Sequence, residues 1–255
     1  MLCICSSDMI LGFISDIHED IVSLKKALAL LQKEKCDRII CLGDIIGFSP
    51  LYYPYAHTRD ANGCIDLVRQ YCSDVVAGNH DLFSAGLVPR NNAGVDYPDN
   101  WFDMDLSGRM KLANGQIWLY ESEVLPSLTS ENKAYLRSLP ETAVITADGV
   151  RMLLSHFMYP DVTGSRRKRV DDICDYREHF WYMRKNNCTL SFAGHMHKEG
   201  FELVNGLGYR EHGFRKKKIR HTASFIGLPA VASGRNKNGT AVFNADTFEF
   251  KAIRM

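Results

Sequence analysis

The chain has 255 residues, 45% of them hydrophobic and 24% charged, with 31 basic against 30 acidic side chains and a formal net charge of +1. Such a length buries a large core, and with no linker, repeat or low-complexity stretch a single domain spanning 1–255 is expected. Near-neutral charge offers no global field toward nucleic acid or a membrane surface, no run approaches the ~20 apolar residues of a membrane span, and no basic leader precedes the first strand, so a cytoplasmic protein is expected.

The run Met9–Ser15 is too short for a helix and reads as a buried strand. Asp20 then caps a helix over Ile21–Lys33, in which Leu24, Ala27, Leu28 and Leu31 fall at helical spacing. Arg38–Leu42 is the next strand. A Pro- and Tyr-rich loop follows, then a helix over Cys64–Tyr71 and a strand over Asp74–Ala77. This alternation is that of a layered α/β domain.

Residues 89–100, rich in Pro and Asn, read as surface loop, Trp101–Leu112 as a short helix and Gln116–Tyr120 as a strand. Thr129 or Ser130 caps a helix ending near Leu139. Ala143–Thr146 and Arg151–Ser155 are strands joined by a turn at Asp148-Gly149. After the basic loop Arg166–Arg169, a helix is expected from about Asp171 to Lys185 and a strand over Thr189–Ala193. The remainder is β-rich, with runs at 200–204, 221–226, 229–232 and 240–251.

Eight cysteines stand at 3, 5, 36, 41, 64, 72, 174 and 188, with no CxxC pair among them. In a chain of this size buried free thiols are expected rather than a disulfide framework, which favours a reducing compartment. Cys3 and Cys5 alone make an incomplete metal site.

Five apolar runs end in side chains that bind metals: Asp16 and His18, Asp44, Asn79 with His80, His156, and His195 with His197. In extended chain, residues i and i+2 point the same way, so Asp16/His18 and His195/His197 read as two-toothed clamps. Ligands gather at the carboxyl ends of strands in layered α/β proteins, so five such ends can converge on one point. The glycines before Asp44, Asn79 and His195 read as sharp-turn positions. Mixed oxygen and nitrogen donors suit Mn, Fe, Zn, Co or Ni. Two such ions roughly 3.5–4 Å apart clamp both oxygens of a phosphoryl displacement and lower the pKa of a bound water toward about 7.

Taken in order, Asp16-Ile-His18, Gly43-Asp-Ile-Ile-Gly47, Gly78-Asn-His-Asp81, His156 and Gly194-His-Met-His197 resemble the motifs DxH, GDxxG, GNH[DE], a lone His and GHxH of the calcineurin-like metallophosphoesterases. The resemblance spans most of the chain. It implies a four-layer αββα sandwich with a dimetal site at the strand ends. It also implies that Asp16, His18 and His197 hold one metal, that Asn79, His156 and His195 hold the second, and that Asp44 bridges. His80 would then face the substrate phosphate, stabilising charge or protonating the leaving oxygen; a satisfied loop histidine is the plainer reading.

The protein Ser/Thr phosphatases of that superfamily read GDxVDRG. Here the segment is Gly43-Asp-Ile-Ile-Gly-Phe-Ser49, without the second Asp, which normally orients the active-site His, and without the Arg that grips phosphate. The chain more closely resembles the compact bacterial and archaeal phosphodiesterase-like branch, notably over Gly43–Asp81 and Leu128–Pro140. The expected activity is hydrolysis of a small phosphate ester, phosphodiester or phosphomonoester, with nucleotide-like substrates favoured. A protein phosphatase and a non-catalytic scaffold on the same fold are the alternatives.

Arg166, Arg167 and Arg169 are candidates for gripping the non-reacting part of a nucleotide or polyphosphate, against the reading of a solvated loop. The run Arg215–Lys218 with Arg220 reads as a charged hairpin guarding an edge strand rather than a nucleic-acid patch. Phe48, Tyr52, Tyr53 and Tyr55 are expected either to wall the pocket or simply to pack. Self-association is not legible in the sequence.

Overall fold

In this computed structural model, which describes residues 9–168, 170 and 172–255, the first strand β1 (Ile10–Ile14) runs into helix α1 (Ile21–Lys33). Asp20 starts that helix by accepting a hydrogen bond from Ser23 N at 2.9 Å, a cap worth about 1 kcal/mol. Then come β2 (Arg38–Cys41), α2 (Ala61–Tyr71), β3 (Asp74–Val75), α3 (Asn79–Ala85), α4 (Leu106–Ala113) and α5 (Ser130–Ser138). They are followed by β4 (Thr142–Ala147), β5 (Val150–Ser155), a 3₁₀ turn (Ile173–Tyr176), α6 (Arg177–Lys185) and β6 (Leu190–Ala193). The chain ends in β7 (Phe201–Asn205), β8 (Gly208–His212), β9 (Lys216–Lys218), β10 (Ser224–Gly227), β11 (Gly239–Asn244) and β12 (Glu249–Arg254). Cys3, Cys5 and Arg169, singled out above, lie outside the described residues.

The strands form two six-stranded sheets, in the orders β3-β2-β1-β11-β12-β9 and β4-β5-β6-β10-β7-β8. Strands β1, β2 and β3 are parallel neighbours in the first; β5, β6 and β10 are parallel neighbours in the second. These strands read as continuous apolar runs because both faces are covered. Leu11, Phe13 and Ile40 point between the sheets with Met152, Leu154, Leu190 and Phe192. Their alternates Ile14, Ile39 and Cys41 point outward, against Leu24, Leu28 and Leu31 of α1, Ile65 and Val68 of α2 and Leu136 of α5. On the far side, Leu153 meets Met183 of α6, and Phe225 meets Tyr176. The result is four layers, αββα.

Phe13 and Phe192 stack across the central interface with centroids 4.4 Å apart. Truncating either to Ala removes a buried ring from both sheets at once and costs about 3–5 kcal/mol.

Several expected elements differ. Gln116–Tyr120 is not a strand: its segment makes only an isolated bridge, Ile117 to Arg166, and carries Tyr120 at φ 58°. The run 229–232 is a loop whose Val231 and Ala232 amides donate to Ser15 and Asp16 carbonyls at 2.9 Å each. The short helix expected over Trp101–Leu112 begins only at Leu106, and the one expected from Asp171 starts as the 3₁₀ turn, where Asp172 caps the Cys174 amide. The basic run 215–218 supplies β9, an edge strand paired to β12 rather than a hairpin arm with β8. Its lysines make that edge unattractive to another strand.

Candidate metal centre

Parallel pairing sets the carboxyl ends of β1, β2 and β3 side by side, opposite those of β5 and β6. The sheets are stitched at that edge by the His156 ring, which donates from Nδ1 to Leu42 O (2.6 Å), and by His195 N, which donates to the Asp16 carboxylate at 3.0 Å. Asp16, His18, Asp44, Asn79 and His156 are each at most 2% exposed.

The clamps do not arise from strand alternation. Asp16, His18, Asp44, His195 and His197 all adopt left-handed backbone, with φ between 46° and 66°. Such conformations cost on the order of 1–3 kcal/mol each for non-glycine residues and persist only where the surroundings over-determine them. Here they do: Asp16 N donates to Gly43 O at 3.0 Å, and Ile17 and His18 amides both donate to Asp44 O at 2.7 and 3.0 Å. The backbone curls each donor inward after the strand has ended. Of the glycines before the donors, only Gly43 takes a positive φ (89°). Gly78 and Gly194 provide clearance instead: a Cβ there would lie 2.1 Å from Asp44 Oδ1 and 2.6 Å from Asp16 Oδ2.

The structure brings the seven donors and His80 to one place. Donor atoms of Asp16, His18 and His197 lie within 4.8 Å of one another, as do those of Asp44, His156 and His195, and of His18, Asp44 and His80. His18 Nε2 is 3.2 Å from His197 Nε2, and His197 Nε2 is 3.2 Å from Asp16 Oδ1. His156 Nε2 is 3.0 Å from Asp44 Oδ2, with the His18 and His80 Nε2 atoms each at 3.8 Å from the same oxygen.

This donor set suits divalent cations. His18 gives its Nδ1 proton to Gly47 O at 2.9 Å, so its Nε2 presents a bare lone pair toward the His197 ring. Asn79 turns its amide NH2 toward the Tyr120 hydroxyl oxygen and leaves a buried Oδ1 without a hydrogen-bond partner. A bare His18 Nε2, an unpartnered Asn79 Oδ1 and two buried carboxylates converging on one place describe a cation site.

Electrostatics follow the same plan. Burial alone would raise the Asp16 and Asp44 carboxyls, but the imidazoles around them outweigh it and hold both far below the carboxylate range. Burial, helped by His80, pushes His18 down to about 3; burial, helped by His156, does the same to His195. Both rings stay neutral and ready to ligate. For His156 and His80 burial is the largest influence and would lower them. Asp44 overrides it, raising His156 to about 10 and, with Glu123, His80 to about 9.

Two side chains that sequence reasoning passed over complete the centre. Asp81 of the Gly-Asn-His-Asp motif, wholly buried, accepts from the amides of Asp44 (2.8 Å), Ile45 (2.9 Å) and Gly78 (3.0 Å), so it locks the β2 and β3 ends together. Burial, then the nearby Asp44, raises its carboxyl to about 7. Glu123, from the irregular segment after Tyr120, sets its carboxylate against His80 Nδ1. Asp81 was visible in the motif; nothing in the local pattern marks Glu123.

His18, Asp44, Asn79, His195 and His197 line a cavity of about 420 Å³, and Asp16 and His156 are fully buried beside them. Tyr52 and Tyr53 form one wall, Trp118 and Tyr120 another, and Arg235 and Lys237 stand on the rim. Tyr53 stacks on His18 with centroids 4.9 Å apart, while Phe48 is core and Tyr55 donates to His18 O at 3.0 Å. The expected arginines separate. Arg167 lines the cavity, its guanidinium 4.6 Å from the centre of the Trp118 ring. Arg166 turns away to donate to Ala93 O at 2.9 Å and faces a different concavity.

Comparison with known proteins agrees with this geometry. A family model described as the calcineurin-like phosphoesterase superfamily domain matches residues 9–213. An uncharacterised protein of Methanocaldococcus jannaschii is 24% identical, over 96% of this chain and 86% of that protein. Among solved structures, a metallophosphoesterase from Sphaerobacter thermophilus superposes with a TM-score of 0.68 at 20% identity, covering 98% of this chain and 89% of that one. A hypothetical protein from Pyrococcus horikoshii gives 0.60 at 14% identity, covering 97% and 88%. Fold, motif order and family model coincide: the chain belongs to the calcineurin-like phosphoesterase superfamily.

Proposed function

We propose that the chain is a two-metal phosphoesterase that hydrolyses small phosphodiesters, with nucleotide-like substrates favoured. The observation that carries this reading is the clustering of Asp16, His18, Asp44, His156, His195 and His197 beside His80, at a cavity that Asn79 also lines. Asp16, His18 and His197 would hold one cation, Asn79, His156 and His195 the other, and Asp44 both. When bound, a pair of divalent ions, of which manganese is our first choice, supplies Lewis acidity and a water of lowered pKa.

The chain's own groups do the rest. His80 points Nε2 toward the reaction space, and in the metal-free chain Asp44 and then Glu123 raise its pKa to about 9, which favours a proton on the ring. That proton is available to the departing oxygen, and the positive ring offsets charge building on phosphorus. A volume of about 420 Å³ falls within the range of small-molecule sites. Tyr52 and Trp118 offer faces for a flat base, and Arg167 offers a cation for a second anionic group. A dedicated phosphoprotein phosphatase is less well supported, because Gly47 and Phe48 stand where that pattern carries Asp and Arg. A reducing, cytoplasmic setting suits the six described cysteines, all free, with Cys41, Cys64 and Cys188 buried. No helix of the described residues is long and apolar enough to cross a membrane.

The test is a substrate panel in Mn²⁺: an aryl phosphodiester, cyclic nucleotides, dinucleoside polyphosphates, phosphomonoesters and phosphopeptides. Diester or nucleotide turnover well above the others is expected. A preference for phosphopeptides would move the assignment to the protein phosphatases, and no turnover with both metals bound would move it to a scaffold.

A further inference from the structure

Segment 117–124 crosses the cavity mouth without regular structure, yet it is fixed at three points. Ile117 bridges Arg166, Ser49 Oγ donates to Ser122 Oγ at 3.0 Å, and Val124 N donates to Phe48 O at 3.0 Å. Those ties carry the Glu123 carboxylate, 4% exposed, onto His80 Nδ1; among the described residues it has no other ion-pair partner. The same segment packs Tyr120 edge-on against the His80 ring, with centroids 5.0 Å apart. On its inner side, His80 N donates to Asp44 Oδ1 at 3.0 Å. The ring is therefore held at one nitrogen and one face, with Nε2 left toward Asp44 and the cavity.

No carboxylate from the nearer loop can do this. Gly47 sits at φ 100°, and a Cβ there would lie 2.5 Å from His80 Cβ. The His80 ring occupies the space into which a side chain at 47 would grow, so its partner has to arrive from elsewhere in the chain.

We propose that Glu123 is the positioning residue of His80. Its carboxylate accepts the hydrogen bond from Nδ1–H throughout, which fixes the tautomer and aims Nε2–H at the leaving oxygen. As a water oxygen forms the new bond to phosphorus and gives up its proton to solvent, the bond to the leaving oxygen breaks, its electron pair stays on that oxygen, and the Nε2 proton moves there. His80, now neutral, regains a proton from solvent. This role rests on the functional reading above, in which His80 protonates the leaving group.

The test uses Glu123→Ala and Glu123→Gln in the full chain, with metal content verified, on aryl phosphodiesters of graded leaving-group acidity. Glu123→Ala should leave KM unchanged and lower kcat about 100-fold for the least acidic phenols, the scale of general-acid catalysis. For 4-nitrophenol, which leaves without help, the loss should be small. Glu123→Gln keeps an acceptor oxygen and should recover most of the rate. In a His80→Ala background, Glu123→Ala should cost nothing further. In metal-free protein, a downfield Nδ1 proton of His80 should appear by NMR in wild type and Glu123→Gln and vanish in Glu123→Ala. A uniform loss across all leaving groups, full additivity with His80→Ala, or an unchanged Nδ1 proton would overturn the assignment. If wild type hydrolyses no diester, the functional reading fails, while the Nδ1 proton still decides whether Glu123 holds the ring.

Discussion

Two regions face each other across the cavity and are built differently. On the floor, Asp16, Asp44, Asn79 and His156 are at most 2% exposed and follow on parallel strands, and the strained backbone of Asp16 and Asp44 is locked by neighbouring amides. On the walls, Trp118 is 39% exposed and Tyr52 54%, and both belong to irregular segments anchored at a few points. The floor holds its geometry whatever enters; the walls meet the variable part of a substrate. Substitutions in the first should abolish chemistry, whereas those in the second should change preference.

The sharpest contrast comes from Asp44→Asn, which removes the one carboxylate oxygen that faces the Nε2 atoms of His18, His80 and His156 together. Altering mere outer partners of a metal site costs 10–100-fold, so losing this central group should lower aryl-diester hydrolysis by at least about 100-fold and reduce metal content. Retained activity would break the division. Next, His80→Ala should lower kcat by about 100-fold for diesters with weakly acidic leaving groups, with both metals still bound, since it contributes a proton rather than a ligand. Metal loss in that variant would place His80 among the ligands instead.

A third effect is pH-linked. Asp44 overcomes the opposing effect of burial and raises His156 to about 10 in the metal-free protein, so at neutral pH a proton occupies this ring. A cation must displace it, and affinity should therefore rise about tenfold per pH unit across the neutral range and fall as acid is added. Titration calorimetry at several pH values in buffers of different ionisation heat reads both the slope and the released proton. A pH-independent affinity would contradict the role of His156. The mildest change should be Arg167→Ala on the wall. Loss of its contact with Trp118 and of its charge is worth about 1 kcal/mol, or roughly fivefold in KM for a nucleotide, with kcat unchanged. An equal rise for an uncharged-tail aryl diester would show that Arg167 does not select for the second anion.

The same division explains what the sequence revealed. Asp16, Asp44, Asn79, His156 and His195 could be found because each follows an apolar run, and the runs themselves are legible as strands buried on both faces. The reason for their convergence was not legible: strand alternation suggested it, but left-handed turns produce it, and only hydrogen bonds between distant segments allow those turns. Asn79–Ala85 becomes a helix because Asp81 satisfies the Gly78 amide, a contact hidden inside a motif read for its ligand. Glu123 lies in a stretch with no periodicity, and the isolated bridge at Ile117 that brings it to His80 has no local signature. The same bridge separates Arg166 from Arg167, which composition alone treats as equivalent.

Anomalous diffraction from crystals grown with Mn²⁺ tests the central claim most directly. Two peaks are expected in the cavity with Asp44 between them, one contacted by Asp16, His18 and His197, the other by Asn79, His156 and His195. A single peak, or none within reach of Asp44, would contradict it.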